Sequence, residues 1–189
     1  MISLRMKASP MAVPDVLLLE PRVFGDARGS FFESFRTDTF KGLGIGCTFV
    51  QENQSRSTRG VLRGLHYQRV QPQAKLVRVV QGEIFDVAVD IRRGSPTFGK
   101  WVGERLSAEN RKQMFVPIGF AHGFLVLSPT ADVIYKTSDF YCPPGERGVL
   151  WNDPELGIPW PLQELNPVVN DRDSRFPRLS AAPAEDLPA

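Results

Sequence analysis

The sequence predicts an all-β chain, an antiparallel sandwich or barrel, and three observations carry the prediction. Residues 85–92 alternate strictly, Phe85, Val87, Val89 and Ile91 interleaving with Asp86, Ala88, Asp90 and Arg92; this period of two marks a strand with two chemically different faces. Short apolar or aromatic runs follow at WVGERL, QMFVPIGFAHGFLVL and ADVIYKTSDFY. Turn signals separate them at RRGSPTFG, LSPT and CPPGE, and many short strands with close turn punctuation suit a sandwich or barrel whose mouth can hold a ligand.

Taken along the chain, residues 1–13 are expected as a flexible N-terminal extension. Residues 14–179 carry no charge block, repeat or linker that would divide them. With 189 residues, 42% hydrophobic and 23% charged, one domain with a substantial core is the simplest organisation. Helix is expected only at TDTFKGLG (37–44), over a few residues of SAEN (107–110) and in a short turn near the end. The middle, KLVRVVQGEIFDVAVDIRRG, is strand, and the polar face of its 85–92 portion must meet water or a lined cavity. The closing SAAPAEDLPA (180–189) is small, polar and proline-containing, and is expected as a flexible tail.

Composition removes several function classes. A formal charge of +2 is too small to imply nucleic acid, while the many arginines suit a small phosphorylated ligand. Cys47 and Cys142 make no CxxC pair and no dense framework, so neither a zinc ribbon nor a secreted disulfide scaffold is indicated, and a reducing cytoplasm is the expected setting. VLLL at 16–19 is too short for a signal peptide's apolar region or a membrane span.

The chain has only two histidines, 56 positions apart. A metal site commonly pairs two histidines one residue apart on a strand, and here carboxylates would have to supply most of the shell, so no metal is expected. No GxSxG elbow, cysteine–histidine neighbour or dinucleotide fingerprint is present, which argues against hydrolase and dehydrogenase chemistry. His66, in GVLRGLHYQ, and His122, in GFAHGF, are each readable as a hydrogen-bonded structural histidine or as an acid/base in a pocket. Arg63, three residues before His66, favours an anion nearby. Asp86 lies on the polar face of its strand, and the residues alone favour solvent for it.

The succession FGDARGSFFESF, QENQSRSTRGVLRGLHYQ, KLVRVVQGEIFDVAVDIRRGSPTFGKW, PIGFAHGFLVL, ADVIYKTSDFY and WNDPELGIPWP resembles the RmlC-like cupin family of dTDP-4-dehydrorhamnose 3,5-epimerases, from about residue 14 to about 179. The resemblance implies a cupin-type jelly-roll β-barrel with a few short helices, a homodimer, no metal or organic cofactor, and a dTDP-4-keto-6-deoxy sugar nucleotide as substrate. It implies His66 as base, Asp173 as its partner, Lys75 near the keto oxygen and Tyr135 as the opposite-face acid. Asp86 and His122 become a second pair lining the pocket, which reverses the solvent reading of Asp86. Arg28, Glu33, Gln51, Asn53, Arg63, Glu146 and Arg172 are implied around the nucleotide sugar, some reaching across the dimer from an exchanged N-terminal segment. Arg172 stands where a lysine is common in the family.

The chemistry accounts for such a set. The keto group acidifies the hydrogens on carbons 3 and 5, so inversion needs a base on one face, a group that stabilises the enolate oxygen, and an acid on the other face. A single-carbon epimerase for another deoxysugar and a catalytically silent sugar-nucleotide-binding barrel are the alternatives. His66, Lys75, Tyr135 and Asp173 together favour an enzyme, since a binding module needs neither acid nor base.

Overall fold

Strand β1 (Met6–Pro10) pairs with β2 (Leu17–Pro21) in a computed structural model that describes residues 6–163 and 165–189. A short hairpin follows, β3 (Phe24–Asp26) with β4 (Gly29–Phe31), then α1 (Thr37–Gly42), the one α-helix among the described residues. The barrel strands are β5 (Gln51–Thr58), β6 (Leu62–Gln68), β7 (Lys75–Gln81), β8 (Glu83–Asp90), β9 (Trp101–Ser107), β10 (Gln113–Val116), β11 (Phe120–Val126) and β12 (Thr130–Thr137), with β13 (Glu146–Gly148) on one edge. Two antiparallel sheets result, β1-β2-β10-β7-β12-β5 and β13-β6-β11-β8-β9. From β5 to β12 the chain changes sheet at almost every turn, as a jelly roll requires. The sequence reading therefore holds at the level of fold: a jelly-roll barrel with one short helix and a few 3-10 turns.

The expected helix at 37–44 is the six-residue α1. SAEN is a turn instead, because Ser107 and Asn110 satisfy one another: the Asn110 N–H donates to Ser107 Oγ and the Ser107 N–H to Asn110 Oδ1, both at 3.0 Å. Such local side-chain bonds compete with helix formation. The late turns fall at Asp173–Arg175 and Leu179–Ala181.

The alternation in β8 is inside out relative to a surface strand. Ile84 and Ala88 pack between the sheets with Val77, Val79, Met114, Phe120 and Val133, so Asp86 and Asp90, on the same face, point inward. Val87, Val89 and Ile91 face the other way, beneath Val149, Leu156, Trp160, Leu179 and Leu187. Burying each large side chain of this outer layer contributes roughly 1.5–3 kcal/mol. Side chains from Val149 to Leu187 thus cover the apolar face and leave the polar face to the barrel interior. Residues 180–189 take part: Leu187 is buried in the layer, and Asp186 lies 3.0 Å from Arg147 and 3.7 Å from Arg69. Composition alone does not register that anchor. Residues 6–10, assigned to the N-terminal extension from sequence, form β1 on the edge of the larger sheet, and residues 1–5 lie outside the described residues. Among the described residues no helix is long and apolar enough to cross a membrane.

Candidate active site

A cavity of about 320 Å³ opens between the sheets, within the range of small-molecule sites. From β6 it is lined by Arg63, His66 and Gln68. Residues three apart on a regular strand face opposite sides, yet Arg63 and His66 share the inner one. The reason is a register shift: His122 of β11 faces His66, while Phe124 faces Arg63, so two residues of β11 span three of β6. The irregularity sits where Gly64, at φ +112°, meets Gly123; a Cβ on Gly64 would lie 2.6 Å from the Gly123 Cα and one on Gly123 2.5 Å from the Arg63 carbonyl oxygen. Only glycine permits so close a backbone approach with that torsion.

His66 Nε2 lies 2.8 Å from Asp173 Oδ1. Asp173 is fully buried, and its other oxygen accepts the Gly64 N–H at 2.9 Å. The glycine that turns His66 inward therefore also anchors the carboxylate that holds the ring. Asn170 fixes the Asp173 turn by accepting its N–H at 2.7 Å. Burial pushes the Asp173 carboxyl up, but the His66 bond, the Gly64 N–H and the Arg172 charge outweigh it and leave it below its ordinary value. An ionised carboxylate only accepts, so the proton between the pair belongs to Nε2. Phe176 packs edge-on against the imidazole, ring centres 5.7 Å apart.

Beside this pair runs a second. His122 Nε2 lies 2.7 Å from Asp86 Oδ1. Asp86 is fully buried, and its Oδ2 has no hydrogen-bond partner. The solvent position that residue type alone favours for Asp86 is thus overturned, because the outer face of β8 is taken by the apolar layer.

The opposite wall comes from the larger sheet: Gln51, Asn53 and Ser55 of β5, Lys75 of β7 and Tyr135 of β12. Lys75 is buried and donates to the His66 carbonyl oxygen at 3.3 Å. Burial pulls its ammonium down to about 8, against the nearby Asp86 and Glu146 carboxylates, which favour the charge. Burial also pushes the Tyr135 phenol up, with Arg63 and Asn53 opposing, so Tyr135 carries its proton at neutral pH. At the mouth, Glu146 accepts from the Tyr141 hydroxyl at 2.7 Å and from Arg172 at 2.5 Å. Arg63 donates to Ser57 Oγ through Nε and Nη2.

His66, Lys75, Tyr135, Gln51, Asn53, Arg63, His122, Glu146 and Arg172 all line this one cavity, with Asp173 and Asp86 directly behind the two histidines. Arg28 and Glu33 do not reach it. Arg28 sits in the β3–β4 hairpin with its guanidinium on Asp26, and Glu33 accepts from Thr39 Oγ1 at 3.3 Å. Sequence reasoning missed Ser55, Tyr67, Gln68, Gln73, Gly123, Phe124 and Tyr141 in the lining, and Phe176 against the His66 ring. The alternation of β5 places Ser55 on the face of Gln51 and Asn53 and was a usable signal for it; Tyr141 and Phe176 carried none.

The sequence profile of the dTDP-4-dehydrorhamnose 3,5-epimerase family matches residues 10–181. The chain belongs to that family. The protein named dTDP-4-dehydrorhamnose 3,5-epimerase from Pseudomonas aeruginosa is 63% identical over 169 residues, spanning 89% of this chain and 93% of its own. A crystal structure of the 3,5-epimerase RmlC from Legionella pneumophila, in complex with dTDP-4-keto-L-rhamnose, superposes with a TM-score of 0.94 at 50% identity over 97% of both chains. A 3'-monoepimerase from Streptomyces bikiniensis, in complex with dTDP-quinovose, superposes at 0.86 with 37% identity, over 92% of this chain and 88% of that one. The family is one of isomerases, and its fold is the jelly roll described above.

Proposed function

We propose that this chain inverts carbons 3 and 5 of dTDP-4-keto-6-deoxy-D-glucose to give dTDP-4-keto-L-rhamnose, without a cofactor. The observation that carries the reading is that a carboxylate-held imidazole and a protonated phenol stand on facing sheets of one cavity, which also holds a buried ammonium. His66 Nδ1 takes the proton from the carbon beside the keto group, and Asp173 stabilises the imidazolium that forms. The Lys75 ammonium meets the negative charge growing on the keto oxygen. Tyr135 returns a proton from the opposite side, and the configuration at that carbon inverts. Both residues then exchange protons with solvent, and the second carbon repeats the cycle.

Arg63 and Arg172 suit the diphosphate, since a guanidinium fork matches phosphate oxygens bidentately; Gln51, Asn53 and Glu146 hold the remaining polar groups of the nucleotide sugar, with His122 and Asp86 completing the wall. Arg28 and Glu33 belong in this reading to a homodimer, where an exchanged N-terminal segment carries them to the partner's cavity. A soluble nucleotide sugar as substrate suits a cytoplasmic setting.

Incubation with dTDP-4-keto-6-deoxyglucose in deuterated water tests the proposal. Deuterium is expected at both carbons. Label at one carbon alone makes the protein a monoepimerase like the Streptomyces relative, and label at neither leaves a binding barrel.

A further inference from the structure

We propose that Arg172 couples diphosphate binding to the basicity of His66, screening Asp173 while it bonds that carboxylate and releasing it when a diphosphate takes the guanidinium. The proposal rests on His66 being the base. Arg172 is half-exposed at the cavity mouth between two carboxylates, 2.5 Å from Glu146 through Nη1 and 3.4 Å from Asp173 Oδ1 through Nε. The second contact falls on the same Asp173 oxygen that holds the imidazole. A cation there competes with an imidazolium for the same carboxylate oxygen.

The network is built so that this cation can leave. Asp173 keeps the His66 and Gly64 donors, and Glu146 keeps the Tyr141 hydroxyl. Neither carboxylate is stranded when the guanidinium swings out, so the usual cost of breaking a buried pair is avoided. The Asp173 contact, at 3.4 Å, is also the weaker of the two by length. A diphosphate gripped by Arg172 then leaves Asp173 unscreened and brings negative charge closer, and both changes raise the basicity of His66 when substrate is in place.

The other charged and titratable groups around His66 are fixed by different elements. Lys75 comes from β7, His122 with Asp86 from β11 and β8, and Glu146 from β13 with Tyr141 before it. Arg63 of β6 and Tyr135 of β12 complete the set, and of all these groups only Glu146 is bonded to Arg172, so a change at position 172 acts on Glu146 and Asp173 and leaves the others in place.

Two histidines make the test direct. The imidazole titrations of the wild-type protein, Arg172→Gln and Arg172→Lys are followed by NMR of labelled histidine, with His122→Asn to assign the signals, free and with saturating thymidine diphosphate. In Arg172→Gln the His66 pKa is expected to rise by about 0.5–1 unit in the free protein, the scale of one part-exposed charge a few ångströms away. His122 should move less. Thymidine diphosphate should raise the His66 value in the wild type by more than in Arg172→Gln, and Arg172→Lys, which keeps the charge but cannot span both carboxylates, should fall between. An unchanged free-protein His66 value in Arg172→Gln, or an equal rise with thymidine diphosphate in both proteins, overturns the coupling. Because the readout is a titration and not turnover, it stands or falls separately from the epimerase reading: a responsive His66 in a protein that exchanges no deuterium keeps the coupling and removes the activity.

Discussion

Two histidine–aspartate pairs stand on adjacent strands of the smaller sheet, with His66 and His122 directly opposite in register, yet their carboxylates are held in different ways. Asp173 arrives from outside the sheet on a turn and has donors on both oxygens: Gly64 N–H on one, His66 and Arg172 on the other. Asp86 belongs to the sheet itself, and one of its oxygens bonds His122 while the other has no partner. A fully bonded carboxylate fixes the ring it holds. An orphaned buried oxygen costs stability unless a nearby charge offsets it, and the Lys75 ammonium is that charge, since Asp86 opposes the loss of its proton. On the proposed reading, one pair orients a base and the other sustains a cation.

The sharpest way to break this distinction is to remove each ring in turn. His66→Asn is expected to lower turnover by about a thousandfold or more, the size of a lost general base, with thymidine diphosphate affinity nearly unchanged. His122→Asn should cost about tenfold, close to one hydrogen bond. Steady-state kinetics beside a nucleotide titration measures both, and equal losses would erase the difference between the pairs.

A second test uses pH. With the Lys75 ammonium brought down to about 8 by burial, turnover should fall above that pH with a one-proton slope, about tenfold per unit. Stability runs the other way. The unfolded lysine holds its proton up to its ordinary 10.5 while the folded one releases it near 8, so the unfolded state binds more protons between these values and stability rises with pH across that window. The opposed trends in rate and in denaturant midpoint separate loss of charge from alkaline unfolding.

The smallest effect is the most specific. Asp86→Asn removes the charge that helps Lys75 keep its proton, so the alkaline limb of the rate profile should move to lower pH by about half a unit. Asp173→Asn should lower the rate and leave that limb where it is. A limb that shifts with Asp173→Asn and not with Asp86→Asn would reverse the roles assigned to the two carboxylates.

Much of the fold was legible because its signals are local. The alternation of 85–92 is β8, and the apolar runs after it are β9 to β12. The failures have both local and distant causes. SAEN reads as helix only until the mutual bonds of Ser107 and Asn110 are seen. The docking of Leu187 and Asp186 depends on a surface formed by residues far away in sequence. The site was less legible from residue types alone: the resemblance brought together eleven residues that the barrel does gather, while Arg28 and Glu33 lie elsewhere in this chain.

By itself the sequence determined the strand periods, the turns and the motif succession that marks the family, because each depends on neighbours a few positions apart. Three things were decided only by tertiary structure. Which face of β8 is interior follows from the C-terminal layer that covers the other face. Arg63 and His66 share a wall because two glycines on adjacent strands let the backbones approach and shift the register. His66 meets Asp173 across 107 positions of chain. A side chain's direction and partner depend on what packs around it, and that is settled only when distant segments close the barrel.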